Sequence, residues 1–359
     1  MKAFVTGGSG FIGRNLIIKL LDLGWQVTAL VRSPGSAADL TALGANVAYG
    51  DVIDMDSMRE PMRGCDVVFH LAAIVEMGDP DPELMEKVNV GGTRKVLRLA
   101  RELRIPRIIF TSTVSVFGDT HGELVDESYE ADARNLTEHA RTKWLAHYKV
   151  AMPLLEKGAP IIIVVPGGVY GPGGHGLVTD LMRIFYRGYP LLSGADTVLT
   201  FAHVDDIAEG HVRAAEKGRI GETYILSGPA VPLGDMLDFW SYLTGIKSPG
   251  IRLPASVVHR SAPLLSLLGR MTGLRSAFSR EGAQIAGATI IARSDKARER
   301  LGWQTRPLQN GMLETLDWIA ASERERHEHL RQRERQFGLL IFPAATVLTA
   351  GWLLSRRRK

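Results

Sequence analysis

Near its amino terminus the chain reads Thr6-Gly7-Gly8-Ser9-Gly10-Phe11-Ile12-Gly13. An apolar run over residues 2–5 precedes this stretch, and an amphipathic run over residues 11–23 follows it. The pattern predicts a strand, a tight turn and a helix whose N-terminus holds a pyrophosphate. Gly7 lets the chain leave the strand, Gly10 lets backbone N–H groups approach the phosphates, and Gly13 lets the helix lie close to the sheet. The alternative is a glycine-rich turn without a ligand, and the spacing and flanking runs favour a dinucleotide site.

Outward from this stretch, short β-branched runs alternate with helical patterns, which predicts an α/β fold with a doubly wound parallel Rossmann sheet. Strands are predicted over 2–6, 26–31, 46–50, 66–71, 106–112 and 160–166, and helices over 11–23, 54–64, 83–104 and 135–157. After Pro166 comes a loop too rich in glycine for a helix or a central strand, and then a helix over 177–187.

The chain has 359 residues, which exceeds one typical domain. We assign residues 1–166 to the dinucleotide-binding domain, with 197–228 returning to it, and residues 167–196 and 229–319 to a smaller substrate lobe. A charged linker is predicted over 320–336. Residues 337–354 carry no charge and lie between basic groups, which predicts a C-terminal hydrophobic helix that anchors the protein in a membrane. A helix docked on the protein or buried in a homodimer is the alternative.

Charge and cysteine content exclude some classes of protein. The net charge is +4, but residues 320–359 alone carry +5, so the globular part is close to neutral and a basic nucleic-acid face is not supported. One cysteine excludes an internal disulfide and a cysteine-rich zinc site, and the histidines show no metal-ligand spacing. Because the first predicted strand begins at residue 2, we expect no signal peptide and a cytoplasmic catalytic domain, anchored through its C-terminus.

The second predicted strand ends at Arg32, where an NAD site would usually carry an acidic residue for the ribose hydroxyls. A guanidinium suits a 2′-phosphate, so the sequence favours NADP(H) over NAD(H), although a solvated arginine beside an NAD site is the alternative. Loops at the carboxyl ends of strands line the crevice of such a sheet. We therefore expect contacts to the cofactor from the third and fourth strand ends, namely Asp51, Val52, Leu71, Ala72 and Ala73, and from the fingerprint residues Gly7, Gly10, Phe11, Ile12 and Gly13.

Beyond the fingerprint, the chain resembles the extended short-chain dehydrogenases/reductases over roughly residues 1–319. The matching stretches are Gly50-Asp51, His70-Leu71-Ala72-Ala73, Asn89-Val90-Gly91-Gly92-Thr93, residues 110–118, Thr142-Lys143, residues 166–172 and His203-Val204-Asp205-Asp206-Ile207-Ala208. Within that family, Leu30-Val31-Arg32 is similar to the dihydroflavonol 4-reductase and 3β-hydroxysteroid dehydrogenase branch.

The resemblance implies a catalytic Ser or Thr, and a Tyr and a Lys four residues apart on one helix. By motif position Thr113 takes the first role and Lys143 the last, while His139 stands at the tyrosine position. The resemblance also places Thr111, Lys143, Pro166 and Val169 beside the nicotinamide. Asn89 either supports the active-site backbone or takes a capping or surface role.

Imidazole exchanges protons nearer neutrality than phenol does, so one hypothesis is a reductase or dehydrogenase with His139 as acid or base. A second is a membrane-bound NADP(H) sensor that has lost the reaction. A third is a nucleotide-sugar epimerase or dehydratase, whose diphosphate would need groups such as Arg183, Arg187 and Arg252. A basic, leucine-rich segment over 251–292, together with the predicted anchor, favours a small hydrophobic steroid-, isoprenoid- or flavonoid-like substrate.

Overall fold

The computed structural model describes most of the first 326 residues of the chain. The described residues are 1–75, 81–129, 131, 136–174, 176–188, 192–194, 197–247, 251–253, 257, 260–261, 264, 284–285, 288–326 and 328. The chain forms two compact units, Met1–Thr315 and Leu316–Lys359. Described residues of the second unit, 316–326 and 328, are helical.

Seven of the described strands form one parallel sheet in the order β10-β6-β5-β4-β1-β2-β3. They are β1 Lys2–Thr6, β2 Gln26–Val31, β3 Asn46–Tyr49, β4 Val67–His70, β5 Arg107–Thr111, β6 Ile161–Pro166 and β10 Thr223–Leu226. β1 has β2 on one side and β4 on the other, so the strand order reverses there. A crevice opens outside the carboxyl ends of strands at such a switch point. The ligand-binding site is therefore expected beside the carboxyl ends of β1 and its two neighbours.

Helices cover the sheet and connect its strands. They include α1 Phe11–Asp22, α2 Pro34–Ala42, α3 Met55–Met62, α4 (Pro82–Met85, Glu86–Gly92 and Thr93–Glu102 in succession), α5 (Glu138–Trp144, Leu145–Ala151 and Met152–Glu156), α6 Leu177–Tyr186, α7 Val204–Lys217, α8 Leu233–Thr244 and α9 Asp295–Leu301. The middle segments of α4 and α5 are wider π turns. One core cluster joins α1 and α7 to the buried residues of β1, β2, β4, β5 and β6.

The six predicted strands of the first half agree with the structure to within one or two residues at each end. The sequence analysis missed α2, because Pro34-Gly35-Ser36 has the composition of a turn. Ser33 instead caps this helix, since its hydroxyl accepts a hydrogen bond from the Ser36 N–H at 3.4 Å. Proline then stands in the first turn, where the absent N–H costs nothing.

The glycine-rich segment after β6 forms a short edge strand. β7, Gly168–Tyr170, pairs with β9, Val198–His203, and β9 pairs with β11, Ala230–Pro232, in a small mixed sheet. Within residues 197–228, β9 therefore belongs to this small sheet, whereas β10 joins the main one. Two further short strands, β8 Leu192–Gly194 and β12 Ile251–Leu253, pair in parallel.

No helix among the described residues has the length and apolar composition needed to cross a membrane. The predicted anchor over 337–354, the end of the charged linker, and most of the leucine-rich segment over 251–292 lie outside those residues. The anchor stays a prediction.

Candidate active site

The turn after β1 is packed so closely that only glycine fits. Gly7 has φ +75°, and a Cβ on it would lie 2.6 Å from the Ala72 backbone nitrogen at the end of β4. A Cβ on Gly13 would lie 2.1 Å from the Gly7 carbonyl oxygen. The start of α1 therefore touches the turn backbone directly. A turn packed in this way brings the N-terminus of α1 beside the end of β1, which is the arrangement that a bound pyrophosphate requires.

A groove of about 270 Å³ runs from this turn across the carboxyl ends of β2, β3 and β4. It is lined by the predicted residues Gly7, Gly10, Arg32, Asp51, Val52, Leu71, Ala72 and Ala73, and also by Ser9, Leu30, Val31, Gly50, Ile74 and Val88, which the prediction omitted. The Arg32 side chain is exposed, and no hydrogen bond or ion pair ties it to another described residue. The shape and position suit the adenosine half of a dinucleotide.

A second cavity of about 500 Å³ adjoins the groove and shares Gly7, Gly10, Leu71 and Ala73 with it. The predicted residues Phe11, Ile12, Gly13, Thr111, Thr113, His139 and Val169 line it. The structure also places Val75, Val114, Ser115, Thr137, Val178, Leu199, Thr200, Phe201, Ile285 and Ile290 in its wall. Lys143 and Pro166, which were predicted beside the cofactor, are buried and do not line this cavity.

Lys143 lies behind the cavity wall. Its ammonium donates a hydrogen bond to the Thr111 carbonyl oxygen at 2.6 Å and lies 5.0 Å above the centre of the Phe110 ring. Burial lowers the pKa of Lys143 to about 8. The amine is therefore charged at neutral pH and loses its proton under mildly alkaline conditions.

His139 lines the cavity one helical turn before Lys143 on α5. Its Nδ1 lies 3.1 Å from the Ile74 carbonyl oxygen. Burial, and then the charge of Lys143, lower the pKa of His139 to about 4. The imidazole is neutral at physiological pH.

Asn89 fastens the segment after β4 to this helix. Its Oδ1 accepts a hydrogen bond from the Ile74 N–H at 2.7 Å, while its Nδ2 donates to the Ile74 carbonyl at 3.0 Å and to Thr142 Oγ1 at 2.9 Å. The side chain is buried. Of the two roles open to Asn89 from the sequence, the structure shows support of the active-site backbone.

The hydroxyl of Thr113 accepts a hydrogen bond from the Ser115 N–H at 3.3 Å, which caps the short 3₁₀ turn Val114–Phe117. Thr113 also donates to Ser115 Oγ at 3.2 Å, so two hydroxyl groups stand together in the cavity wall. Tyr148 packs against Trp144 and His147 on α5 and is absent from the cavity wall. No tyrosine appears among the described residues that line the cavity.

A buried polar chain behind the fingerprint escaped the sequence analysis. Thr6 Oγ1 lies 2.8 Å from His70 Nδ1, and His70 Nε2 lies 2.9 Å from Thr93 Oγ1. Because Thr93 donates its proton to the Asn89 carbonyl at 2.6 Å, it accepts from His70 Nε2. Burial lowers the pKa of His70 to about 3, so this ring is a neutral link between β1, β4 and α4. Thr6 and His70 end two apolar strands and Thr93 lies in a helix, so three residues this far apart in the sequence gave no local signal for the chain.

His203, Asp205 and Glu314 form the cluster with metal-ligand geometry among the described residues. Arg306 already pairs with both carboxylates, at 3.1 Å from Asp205 and 3.0 Å from Glu314. Its guanidinium supplies the positive charge that the carboxylates need. The cluster is therefore better explained as an ion-pair network than as a metal site.

Residues 3–227, more than half of the chain, match the NAD dependent epimerase/dehydratase family. The chain belongs to this family. It is an oxidoreductase of the extended short-chain type that uses a nicotinamide dinucleotide, as its family and curated relatives indicate. The resemblance inferred from the motifs is thereby confirmed.

The similar proteins within the extended short-chain type include two bacterial reductases. A 4-hydroxy-2-methyl-3-oxo-4-farnesyl-3,4-dihydroquinoline-1-oxide ketoreductase from Stigmatella aurantiaca is 33% identical over 88% of this chain and 96% of that protein. A putative dihydroflavonol 4-reductase from Synechocystis is 30% identical over 88% of this chain and 94% of that protein. The crystal structure of gox2253 superimposes with a TM-score of 0.77 at 31% identity, and covers 89% of this chain and 98% of that one.

Against this family background, the histidine at position 139 is the main departure in this extended short-chain oxidoreductase. The lysine and the threonine of the motif are present, and the structure brings Thr113 and His139 to one cavity with Lys143 behind its wall.

Proposed function

We propose that this protein interconverts a carbonyl and an alcohol on a hydrophobic substrate with NADP(H) as its preferred cofactor. Thr113, His139 and Lys143 form the reacting group of side chains. The anchor predicted over 337–354 would hold the enzyme at a membrane, where such substrates concentrate. The two reductases described above, whose names include farnesyl-bearing and flavonoid compounds, support this substrate class.

The observation that carries the proposal is the composition of the 500 Å³ cavity. Among its described lining residues no side chain is an aspartate, glutamate, lysine or arginine. Aliphatic and aromatic side chains and glycines form most of the wall, and its polar groups are the hydroxyl groups of threonine and serine and the imidazole of His139. A largely apolar site with a few converging polar groups is typical of small hydrophobic ligands.

The same composition disfavours a nucleotide-sugar substrate. A diphosphate is usually held by cationic side chains or helix N-termini. Arg183 is directed to Asp180 at 3.2 Å on α6, and neither Arg183 nor Arg187 lines the described cavity. The side chain of Arg252 lies outside the described part of the chain.

Within this proposal each side chain has a distinct task. A bound nicotinamide dinucleotide supplies or accepts the hydride, and the glycine turn with the N-terminus of α1 holds its phosphates. The Thr113 hydroxyl orients the substrate oxygen, and His139 exchanges a proton with that oxygen. The charge of Lys143 sets the proton affinity of His139 from behind the wall.

Replacing His139 with alanine tests the proposal. We expect His139→Ala to lower turnover of a steroid or isoprenoid ketone by about 10²–10⁴ fold, because the acid–base group is lost. NADP(H) affinity should stay nearly unchanged, since the fingerprint is untouched. Stopped-flow or fluorescence assays of NADPH oxidation and binding measure both quantities.

His121→Gln is the matched control, because His121 is exposed and does not belong to the described cavity lining. Equal activity of His139→Ala and the parent would contradict the proposed role of the imidazole. If the parent, His139→Ala and His139→Tyr all bind NADPH but are equally inert on ketosteroid, flavonoid and isoprenoid carbonyls, the cofactor-sensor hypothesis replaces the enzyme.

A further inference from the structure

The hydrogen bond at Nδ1 decides which nitrogen of His139 carries the proton. Its partner at 3.1 Å is the Ile74 carbonyl oxygen, which accepts hydrogen bonds and cannot donate them. The neutral imidazole must therefore carry its proton on Nδ1. Its Nε2 then presents a lone pair, and no other described residue forms a hydrogen bond with it.

The carbonyl that fixes this tautomer is itself held in place. Asn89 binds both the N–H and the carbonyl of Ile74, so the two amide groups fit together in only one orientation. Asn89 also donates to Thr142, which lies on α5 between His139 and Lys143. The Ile74 carbonyl oxygen thus accepts one hydrogen bond from Asn89 and one from His139, which uses both of its lone pairs.

Among the described groups around the imidazole, the Ile74 carbonyl is the one that favours the protonated form, through the hydrogen bond at Nδ1, and burial and the charge of Lys143 outweigh it. Lys143 on the same helix is cationic and acts against a second positive charge. Glu138, the neighbouring residue, is directed to Arg141 at 2.7 Å. The described cavity wall, which other elements build around His139, offers hydroxyl groups and apolar side chains without a carboxylate.

We propose that the site takes its substrate as a secondary alcohol on an apolar skeleton, and that His139 acts as the base that removes the hydroxyl proton. This inference rests on the proposed function and names the direction for which the resting protonation state of His139 is suited. The alcohol O–H donates to the Nε2 lone pair. The O–H proton then moves to Nε2, the carbinol C–H bond breaks, and its electron pair leaves as hydride to oxidised NADP while the C=O bond forms.

The reverse reaction needs the imidazolium. With a pKa of about 4, His139 is protonated in roughly one molecule in 10³ at pH 7. The resting enzyme at neutral pH is therefore in the form that oxidises an alcohol. Reduction of a ketone by the same group proceeds through this minor protonated form and becomes faster as the pH falls.

Nitrogen-15 NMR of the full-length protein labelled at histidine, with NADP⁺ bound, tests the tautomer directly. We expect His139 to give a signal pair in which Nδ1 is protonated and Nε2 is unprotonated at pH 7, with a transition near pH 4. His211, whose Nδ1 also faces a carbonyl oxygen, gives a second pair of this kind. The variant His139→Gln assigns the His139 pair by deleting it. A His139 signal with a protonated Nε2 at pH 7 would overturn the inference.

The pH dependence of kcat/KM gives a second readout, with a saturated 3β-hydroxysteroid and its 3-ketone as the probe pair. Between pH 5 and 7.5 we expect oxidation to be nearly flat and reduction to fall about tenfold per pH unit, as the imidazolium is lost. Reduction that is flat over this range contradicts the base role. Full turnover in His139→Gln contradicts the proposed function instead, so the two failures are distinguishable.

Discussion

At the scale of single residues, Arg32 is the one cationic side chain among the described residues that line the 270 Å³ groove beside the glycine turn. Arg32 follows β2 directly, is exposed, and is tied to no other described residue. It precedes α2, whose N-terminus carries the partial positive charge of the helix dipole. Both features favour a phosphate on the ribose at this position.

Replacing Arg32 with aspartate should therefore weaken NADP(H) binding and spare or improve NAD(H) binding. Losing one charge-assisted hydrogen bond to the 2′-phosphate costs about 1.5–3 kcal/mol, which is roughly ten- to a hundredfold in Kd. Titration of tryptophan fluorescence with both cofactors measures the change. Arg101→Asp, the same charge change on the exposed face of α4, is the control. Equal affinity of the parent for both cofactors would show that Arg32 does not select between them.

At the scale of secondary structure elements, α1 and the turn before it form one rigid unit. The contact between Gly13 and the Gly7 carbonyl joins backbone to backbone, so no side chain can move aside to make room. The geometry of the glycine turn, where we propose that the cofactor phosphates bind, is thus fixed by the packing of α1 against it.

Gly13→Ala should abolish most dinucleotide binding and destabilise the fold by about 1–3 kcal/mol, the usual cost of overpacking. Gly35→Ala is its control, because a Cβ at Gly35, in the first turn of α2, would meet no atom within 4 Å. That variant should stay within about 0.5 kcal/mol of the parent. Urea unfolding and cofactor titration test the pair, and a Gly13→Ala protein with parental affinity would refute the argument.

The π turns in α4 and α5 also act at this scale. Each inserts wider backbone into a helix that the sequence predicted as a continuous α pattern. The first carries Asn89, and the second carries His147, which bonds to Ser112 at the end of β5. π turns are rare and often lie at functional sites, and here both position polar side chains beside the cavity.

At the scale of the whole molecule, several histidines are buried in neutral form. Burial lowers the pKa of His147 and of His211 to about 4, and that of His70 to about 3. His211 donates from Nδ1 to the Ile207 carbonyl at 2.8 Å and accepts the Thr111 hydroxyl proton at Nε2. These rings stabilise the fold while they are uncharged.

The unfolded chain protonates its histidines near pH 6.5, whereas the folded protein resists protonation until about pH 4. The unfolded state binds more protons between these values, so the free energy of unfolding rises with pH across this window. Each such histidine stabilises the fold fully above pH 6.5, and this contribution, about 3 kcal/mol, is lost as the pH falls to 4.

His211→Gln should therefore destabilise the protein at pH 7, and the difference from the parent should shrink by roughly 2–3 kcal/mol toward pH 4.5. Comparing variant with parent at each pH cancels the shared titration of the carboxylates. Urea unfolding at several pH values measures the difference. A gap that does not depend on pH would mean that the pKa of His211 is the same in the folded protein as in the unfolded chain.

The sequence alone determined the sheet, the cofactor turn and the family. Glycine spacing and apolar runs are local properties that backbone sterics convert directly into a strand, a turn and a helix. The order of the motifs identified Thr113, His139 and Lys143 as candidate catalytic residues. Arg32, at a position where an NAD site usually carries an acidic residue, led to the hypothesis that NADP(H) is preferred. The same local reasoning failed at α2, because the residues at its start are typical of a turn. Capping by Ser33 allows a helix to begin there despite that composition.

Only the tertiary structure decided the electrostatics of the site. The pKa of His139 depends on burial, on the distance to Lys143, and on a carbonyl at Ile74 that lies 65 positions away along the chain. The position of that carbonyl depends in turn on Asn89 in a π turn. Solvent exclusion and hydrogen-bond geometry arise only when distant segments pack together, and for that reason the direction of proton transfer could not be predicted from residue types.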